Sequence, residues 1–403
     1  MSEIVKGALD GGWSLLVGWL LPTAVNVVLA VLILSGSAGV PSIGDLVDGD
    51  SSRALVTLGA VVVCALVLAA LQTPLYRLLE GYLGWPEWLF RAARDRMLYR
   101  KHLLADRISA WQLHRAERDG TLDDAGRAAL TALRTHPVVG RYAARDARVG
   151  APRHALLRER LFRFPVDDDQ VVATRLGNAI RRFEEYGHDR FRLDSQVLWY
   201  ELSAVAPELT GKQVDRARTT VDFFVCLLYG HLIVALTVTG TLVAGARPWS
   251  PVPVAAVLLL VAFAHVWYRI AVVATDDWAA AVRAMVNVGR RPLTEALGLR
   301  LPGGIAPERE MWSLVSKLAR LPFDPRAAAL DRFRATDPPA STDGPSARHA
   351  TGGPAAPAGS GGGDAPAAFG EDTPTGFGGP AAPAAFGDGD ATLPAGVTVR
   401  DSD

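Results

Sequence analysis

PELTGKQVDRARTTVDFFVCLLYGHLIVALTVTGTLVAG, residues 207–245, passes from a charged segment to an uncharged one with no Pro between Pro207 and Pro248. Thr210 and Gln213 have the spacing of a capping box, in which each side chain satisfies a free amide of the first helical turn. Val214, Ala217, Val221 and Phe224 then recur at helical spacing. This predicts one helix from Thr210 to Val243, about 50 Å long at 1.5 Å per residue. Such a helix reaches from a soluble domain to the far side of a bilayer. It can transmit motion, or it can be a long helix and nothing more. Arg218 and Asp222 lie four apart and are expected to pair at headgroup level, where an ion pair is worth little.

Further apolar runs lie on either side. Trp13 to Leu34 carries no charge and is long enough for a hydrocarbon core of about 30 Å. Pro22 is expected to kink it. A second span runs from Ala54 to Gln72, closed by Pro74. The third is Phe223 to Val243 and the fourth Val254 to about Ala274, with Arg269 near its end. Trp13, Tyr76, Trp249, Trp267 and Tyr268 sit at span ends as interfacial anchors should.

Orientation follows from Lys and Arg near the span ends. Arg77, Arg91, Arg94, Arg96, Arg100 and Lys101 follow the second span, and Arg269 and Arg283 lie at and beyond the end of the fourth. The other two loops offer only Arg53 and Arg247. Both termini and residues 74–222 are therefore expected in the cytoplasm of a multi-pass protein of the cell membrane. The amino terminus lacks the pattern of a cleaved signal peptide, so the first span is expected to be retained.

The predicted fold class is all-α: four transmembrane helices as two hairpins flanking a helical cytoplasmic insert, with a disordered C-terminal tail. The parts are a first hairpin (1–73), the insert (74–222), a second hairpin (223–275), a helical extension packing on the insert (276–336) and the tail (337–403). Within the insert, Thr121 is a plausible N-cap for a helix to about Arg134, and His136-Pro137 and Ala151-Pro152 read as breaks. Residues 75–105 are apolar and basic together. Trp88, Leu89, Ala92, Tyr99 and Leu103 share one face, which suits a helix lying on anionic lipid or the first helix of the core. In the extension, Pro292 should end or bend the helix that leaves the fourth span. Pro307 should open a last one.

Formal net charge is zero over 403 residues, with 42 basic and 42 acidic side chains. The balance hides an asymmetry, since the tail holds 9 acidic and 2 basic residues, leaving 40 basic against 33 acidic in the body. The tail is mostly Ala, Gly, Pro, Ser and Asp, which cannot bury enough apolar surface to offset ordering entropy. Pro366-Ala367-Ala368-Phe369-Gly370 recurs as Pro383-Ala384-Ala385-Phe386-Gly387, so its Phe residues are candidate docking points for an unknown protein partner, unless the repeat is compositional drift. The insert's Arg residues are interleaved with acids, the pattern of a solvated surface. No nucleic-acid motif occurs, and no nucleic-acid partner is expected.

No phosphate loop, His-Glu-x-x-His, paired cysteines or Gly-x-Ser-x-Gly occurs. No catalytic, cofactor-binding or metal-ligating residue is assigned, no cofactor is expected, and the protein is not expected to be an enzyme. Asp167-Asp168-Asp169 reads as a solvated cap rather than a cation site, and Asp276-Asp277 lacks the further acids a metal site needs. Cys64 and Cys226 both lie in apolar runs and are expected as buried small hydrophobes. His231, His265 and Asn26 are the polar candidates inside the spans, for interhelical hydrogen bonds more readily than proton relay.

The block Thr174-Arg175-Leu176-Gly177-Asn178, then Glu184-Glu185-Tyr186, Arg190, Asp194 and Leu198-Trp199, resembles integral membrane proteins of actinobacteria. The resemblance implies a four-span membrane protein and brings no activity. Arg175, Asn178, Glu184 and Asp194 form a candidate polar cluster, with Arg175 expected to pair with Glu184, Glu185 or Asp194. The expected function is a membrane scaffold or interaction and sensor protein acting through its helical module. An oligomeric channel or pore-forming effector gated by that module, hence a homo-oligomer, is the alternative.

Overall fold

A computed structural model describes residues 12–34, 51–246, 248–322 and 325–335. Residues 35–50 of the loop expected between the first two spans, and the tail with its Phe-Gly repeats, lie outside them. Among the described residues the chain is helical throughout, with a single bridge between Leu299 and Arg334.

The first helix, α1 (Gly12–Leu34), contains a π-helical turn over Leu16–Leu20, closed by Leu21 N–H on the Leu16 carbonyl. This wider turn precedes Pro22, whose ring would collide with the carbonyl four residues back in a regular α-helix. Helix α2 (Ser51–Ala70) breaks at Leu71, and α3 (Gln72–Glu80) leaves at 57° to it. Pro74 follows this break, in the first turn of α3. It has no N–H for the Ala70 carbonyl, so one helix stops and another starts, with Pro74 tolerated in its first turn.

The polar part begins with α4 (Glu87–Arg118), followed by α5 (Asp124–Thr135), α6 (Val139–Val149) and α7 (Ala151–Phe162). The N-cap of α5 is Asp123, whose carboxylate accepts from Gly126 N–H at 2.8 Å, not Thr121. Arg107, Ile108 and Ala110 pack α4 on α5, α6 and α7, while Trp88, Leu89 and Tyr99 stay exposed near its start.

Short helices α8 (Arg175–Glu184), α9 (Tyr186–Phe191) and α10 (Trp199–Val205) lead to α11 (Glu208–Val243), and α12 (Pro251–Ala296) follows. Helix α11 starts after Pro207 with no side-chain cap, so Thr210 and Gln213 are not used as a capping box. Helix α12 runs through Pro292 to Ala296 because Leu293 and Thr294, both fully buried, hold its last turn in the core. Helix α13 (Ile305–Arg320) begins two residues before Pro307, and a 3-10 segment, Pro325–Phe333, packs on it.

Helices α11 and α12 form the central hairpin, α1 packs along α11, and α8 and α10 pack on α12. One apolar core runs from Val225 and Leu228 through Val282 and Met285 to Met311 and Trp312, so the apolar and polar parts share it. Among the described residues three helices, α1, α11 and α12, are long and apolar enough to cross a membrane, or four if the bent pair α2–α3 counts as one span. These helices make the chain a membrane protein.

Candidate functional site at the joint between spans and module

The block 174–178 fastens the module to α3 and α12. Thr174 Oγ1 caps α8 by accepting from Gly177 N–H at 3.0 Å and donates to the Leu79 carbonyl at 2.6 Å. The Leu176 amide donates to Tyr268 Oη at 3.3 Å while its side chain is fully buried. Gly177 lies against α3 so closely that a Cβ would sit 2.6 Å from the Glu80 carbonyl oxygen. Asn178 accepts from Val172 N–H and donates to the Val172 and Thr174 carbonyls. Four of the five side chains or backbones are thus committed to structure.

Arg175 is the fifth. Its charged neighbours are Arg100 of α4, Arg269 of α12 and Arg160 of α7. Burial and these like charges lower the pKa of Arg175, and burial with Arg96 and Arg269 lowers that of Arg100. The expected pairing of Arg175 with Glu184, Glu185 or Asp194 is not what forms. Glu185 bonds Arg181 at 2.9 Å, and Asp194 pairs with Arg320 while capping its own turn through Gln196 and Val197 N–H. The reason is direction: Arg175 opens α8 on the side of α12, while Glu184 closes it among Glu80, Arg181 and Arg77.

Burial, then the charge of Glu80, pushes the Glu184 carboxyl up to about 7, against Arg181 and Arg77, which pull it down, and Glu185, which adds to the rise. Tyr82 also faces it. A carboxyl with a raised folded pKa binds its proton more tightly in the folded chain. Its stabilising share is complete below about pH 4.5 and is lost as pH rises through about 7. The melting temperature of the full chain in detergent should fall between pH 5 and pH 8, and Glu184→Gln should flatten that part of the profile. An unchanged slope in the variant would assign the titration elsewhere.

Beside the arginines lies a cavity of about 330 Å³, lined by Arg158, Phe162, Arg163, Arg182, Asp276 and Arg283 among others. Arg182 and Arg283 stack over Phe162, with guanidinium carbons 5.2 and 5.0 Å from its centroid. Asp276 is held by Arg163 at 2.6–3.1 Å, which raises the Arg163 pKa. Asp168 is taken by Lys101 at 2.6 Å and by the His102 ring at 2.7 Å. Glu185, His188 and Asp189 bring ligand atoms within 4.8 Å of one another, yet Arg181 and Arg182 occupy the two carboxylates.

Inside the apolar part, His231 Nδ1 is 2.8 Å from the Leu227 carbonyl, and Trp267 Nε1 donates to Nε2 at 3.4 Å, which assigns the Nδ1–H tautomer. His265 is exposed on α12. Asn26 donates to the Cys226 carbonyl at 3.3 Å and lies against Gly230, where no Cβ would fit. Cys226 is buried, but Cys64 is exposed on the outer face of α2, so only one thiol is a core residue. The residue that sequence reasoning misplaced is Asp222. It is buried and accepts from Tyr76 Oη at 2.7 Å and Gln72 Nε2 at 2.8 Å. Tyr76 is likewise a core residue and not an interfacial anchor. Comparison with protein-family models, with curated proteins and with solved structures found no match to this chain.

Proposed function

We propose that this protein is a four-span scaffold or sensor of the cell membrane, without enzymatic activity, acting through a cytoplasmic helical module. In this reading α2 and α3 together make the fourth span, both termini are cytoplasmic, and the tail recruits a protein partner. One observation carries it: α11 and α12 pass unbroken from the apolar part into the module. At 36 and 46 residues they are about 54 and 69 Å long. Tilting either span then moves the module with it.

Spin labels at Gln213 and Thr237, both exposed on α11, test the lever in lipid. A rigid helix separates them by about 36 Å along its axis in a single narrow distribution. A broad or bimodal distribution means a hinge and sinks the reading. Cysteines at Ser42 and Ser346 should be labelled by an impermeant reagent from outside and inside respectively. A ring of copies around a pore in lipid would replace the scaffold by a channel.

A further inference from the structure

We propose that Arg100, Arg175 and Arg269 form a clamp for the phosphate of an anionic phospholipid headgroup, at the module's end of the spans. The inference uses the membrane placement above but not the scaffold role.

The clamp is assembled from three elements. The bond from the Leu176 amide to Tyr268 Oη joins the first turn of α8 to α12. Arg175 and Arg269 are the chain neighbours of those two residues. Arg100 comes from α4, close enough for its charge to be felt at Arg175 and for that of Arg269 to be felt in return. Arg96 and Arg160 stand around the three.

Several guanidiniums elsewhere in the module are held by acceptors. Arg107 holds Asp146, Arg163 holds Asp276, Arg290 holds Glu308, and Arg94 takes the Val171 carbonyl. Arg100, Arg175 and Arg269 have no ion pair or hydrogen bond of the side chain among the described residues. For Arg100 and Arg175 only the phenol of Tyr268 favours the charged form. Like charges gathered and partly desolvated without a counter-ion destabilise one another. A phosphate would reverse the sign of each interaction, and guanidinium matches its oxygens bidentately. The first turn of α8 adds the positive end of its dipole.

The surroundings select a lipid over a free anion. Leu258, Val261, His265, Val266, Arg269 and Val273 recur at helical spacing on one exposed stripe of α12. Apart from His265, that stripe is apolar up to Arg269, the first charge on the helix. Acyl chains lying along it bring their headgroup to the guanidinium. Tyr99, exposed beside Arg100 on α4, offers an aromatic edge at the same level.

The test uses the full chain reconstituted in phosphatidylcholine with or without phosphatidylglycerol, and native mass spectrometry from mixed micelles. The wild type should retain phosphatidylglycerol several-fold over phosphatidylcholine and melt about 2–4 °C or more higher when it is present. R100Q/R175Q/R269Q should lose both effects. In phosphatidylcholine alone it should melt no lower than wild type, because it removes repulsion. R118Q/R141Q, equal in kind but elsewhere on the module, should keep both effects. Should the triple variant not fold, Arg175→Gln alone should still lower the retention ratio. Equal retention of the two lipids by the wild type, or an unchanged preference in the variants, overturns the clamp. So does inorganic phosphate raising the melting temperature as much as phosphatidylglycerol, since the site would then take a soluble anion. Failure here leaves the spin-label distance untouched, and a hinged α11 leaves the lipid preference untouched.

Discussion

Asp146→Ala should destabilise the full chain by about 3–5 kcal/mol, the largest loss expected from any single side chain in the module. Asp146 of α6 is buried and accepts from Arg107 Nε and Nη2, each at 2.8 Å, and from Arg153 Nε at 3.0 Å. The carboxylate therefore ties α4, α6 and α7 together. Arg107 is buried as well, with its guanidinium carbon 4.2 Å from the centroid of the Tyr142 ring. Removing the acid strands that cation in a buried site, which is why the loss exceeds that of a surface pair. Replacing both partners with apolar residues, Arg107→Met with Asp146→Leu, should recover most of the loss, because no charge is then left unpaired. A thermal melt of the three proteins in the same detergent decides this. A double variant as unstable as Asp146→Ala would show that the pair contributes net stability.

The same carboxylate sets an acid limit. Burial pushes its pKa up, but the hydrogen bonds from Arg107 and Arg153 outweigh burial and hold it below the ordinary value. A depressed folded pKa gives stability that is complete above about pH 4 and is lost as pH falls through the folded value. Acid unfolding near that pH should be shallower in the double apolar variant.

Asn178→Ala should cost roughly 3 kcal/mol and loosen the joint instead of the module. The side chain is almost wholly buried, and its three hydrogen bonds serve the backbone of the extended stretch before α8. Truncation leaves the Val172 amide and carbonyl without that partner in a place that solvent does not reach. Asn178→Asp keeps an acceptor for Val172 N–H but loses both donations, so it should fall between wild type and Ala. The variant should also raise amide exchange at Val172 and Leu176 before any change in α5 or α6. Exchange rising equally in all helices would mean that the joint is not a separate unit.

The apolar spans, the helical class and the breaks at His136-Pro137 and Ala151-Pro152 were legible because each depends on a short window of sequence. A run of some twenty uncharged residues is long enough to cross a membrane, whatever surrounds it. Residues with special backbone needs mark ends: Gly150 separates α6 from α7 with a φ of +71°. Windows also mislead. Pro292, read as an end or a bend, lies inside a helix, because packing of the next turn decides whether the chain resumes.

For the candidate residues, the sequence by itself determined that 174–178 opens a block with a polar cluster, and that Asn26 and His231 are polar groups within apolar helices. Only tertiary structure decided the partners. Asp222 was read as an exposed mate of Arg218 four residues away, whereas its hydrogen bonds come from Tyr76, 146 positions earlier, and from Gln72. Arg175 was read toward acids within its own segment, whereas it faces Arg100 and Arg269 from helices on either side. Spacing along a helix says which face a side chain takes, and that is local geometry. What covers the face depends on how α3, α4 and α12 pack against it, and that is set by the shared core.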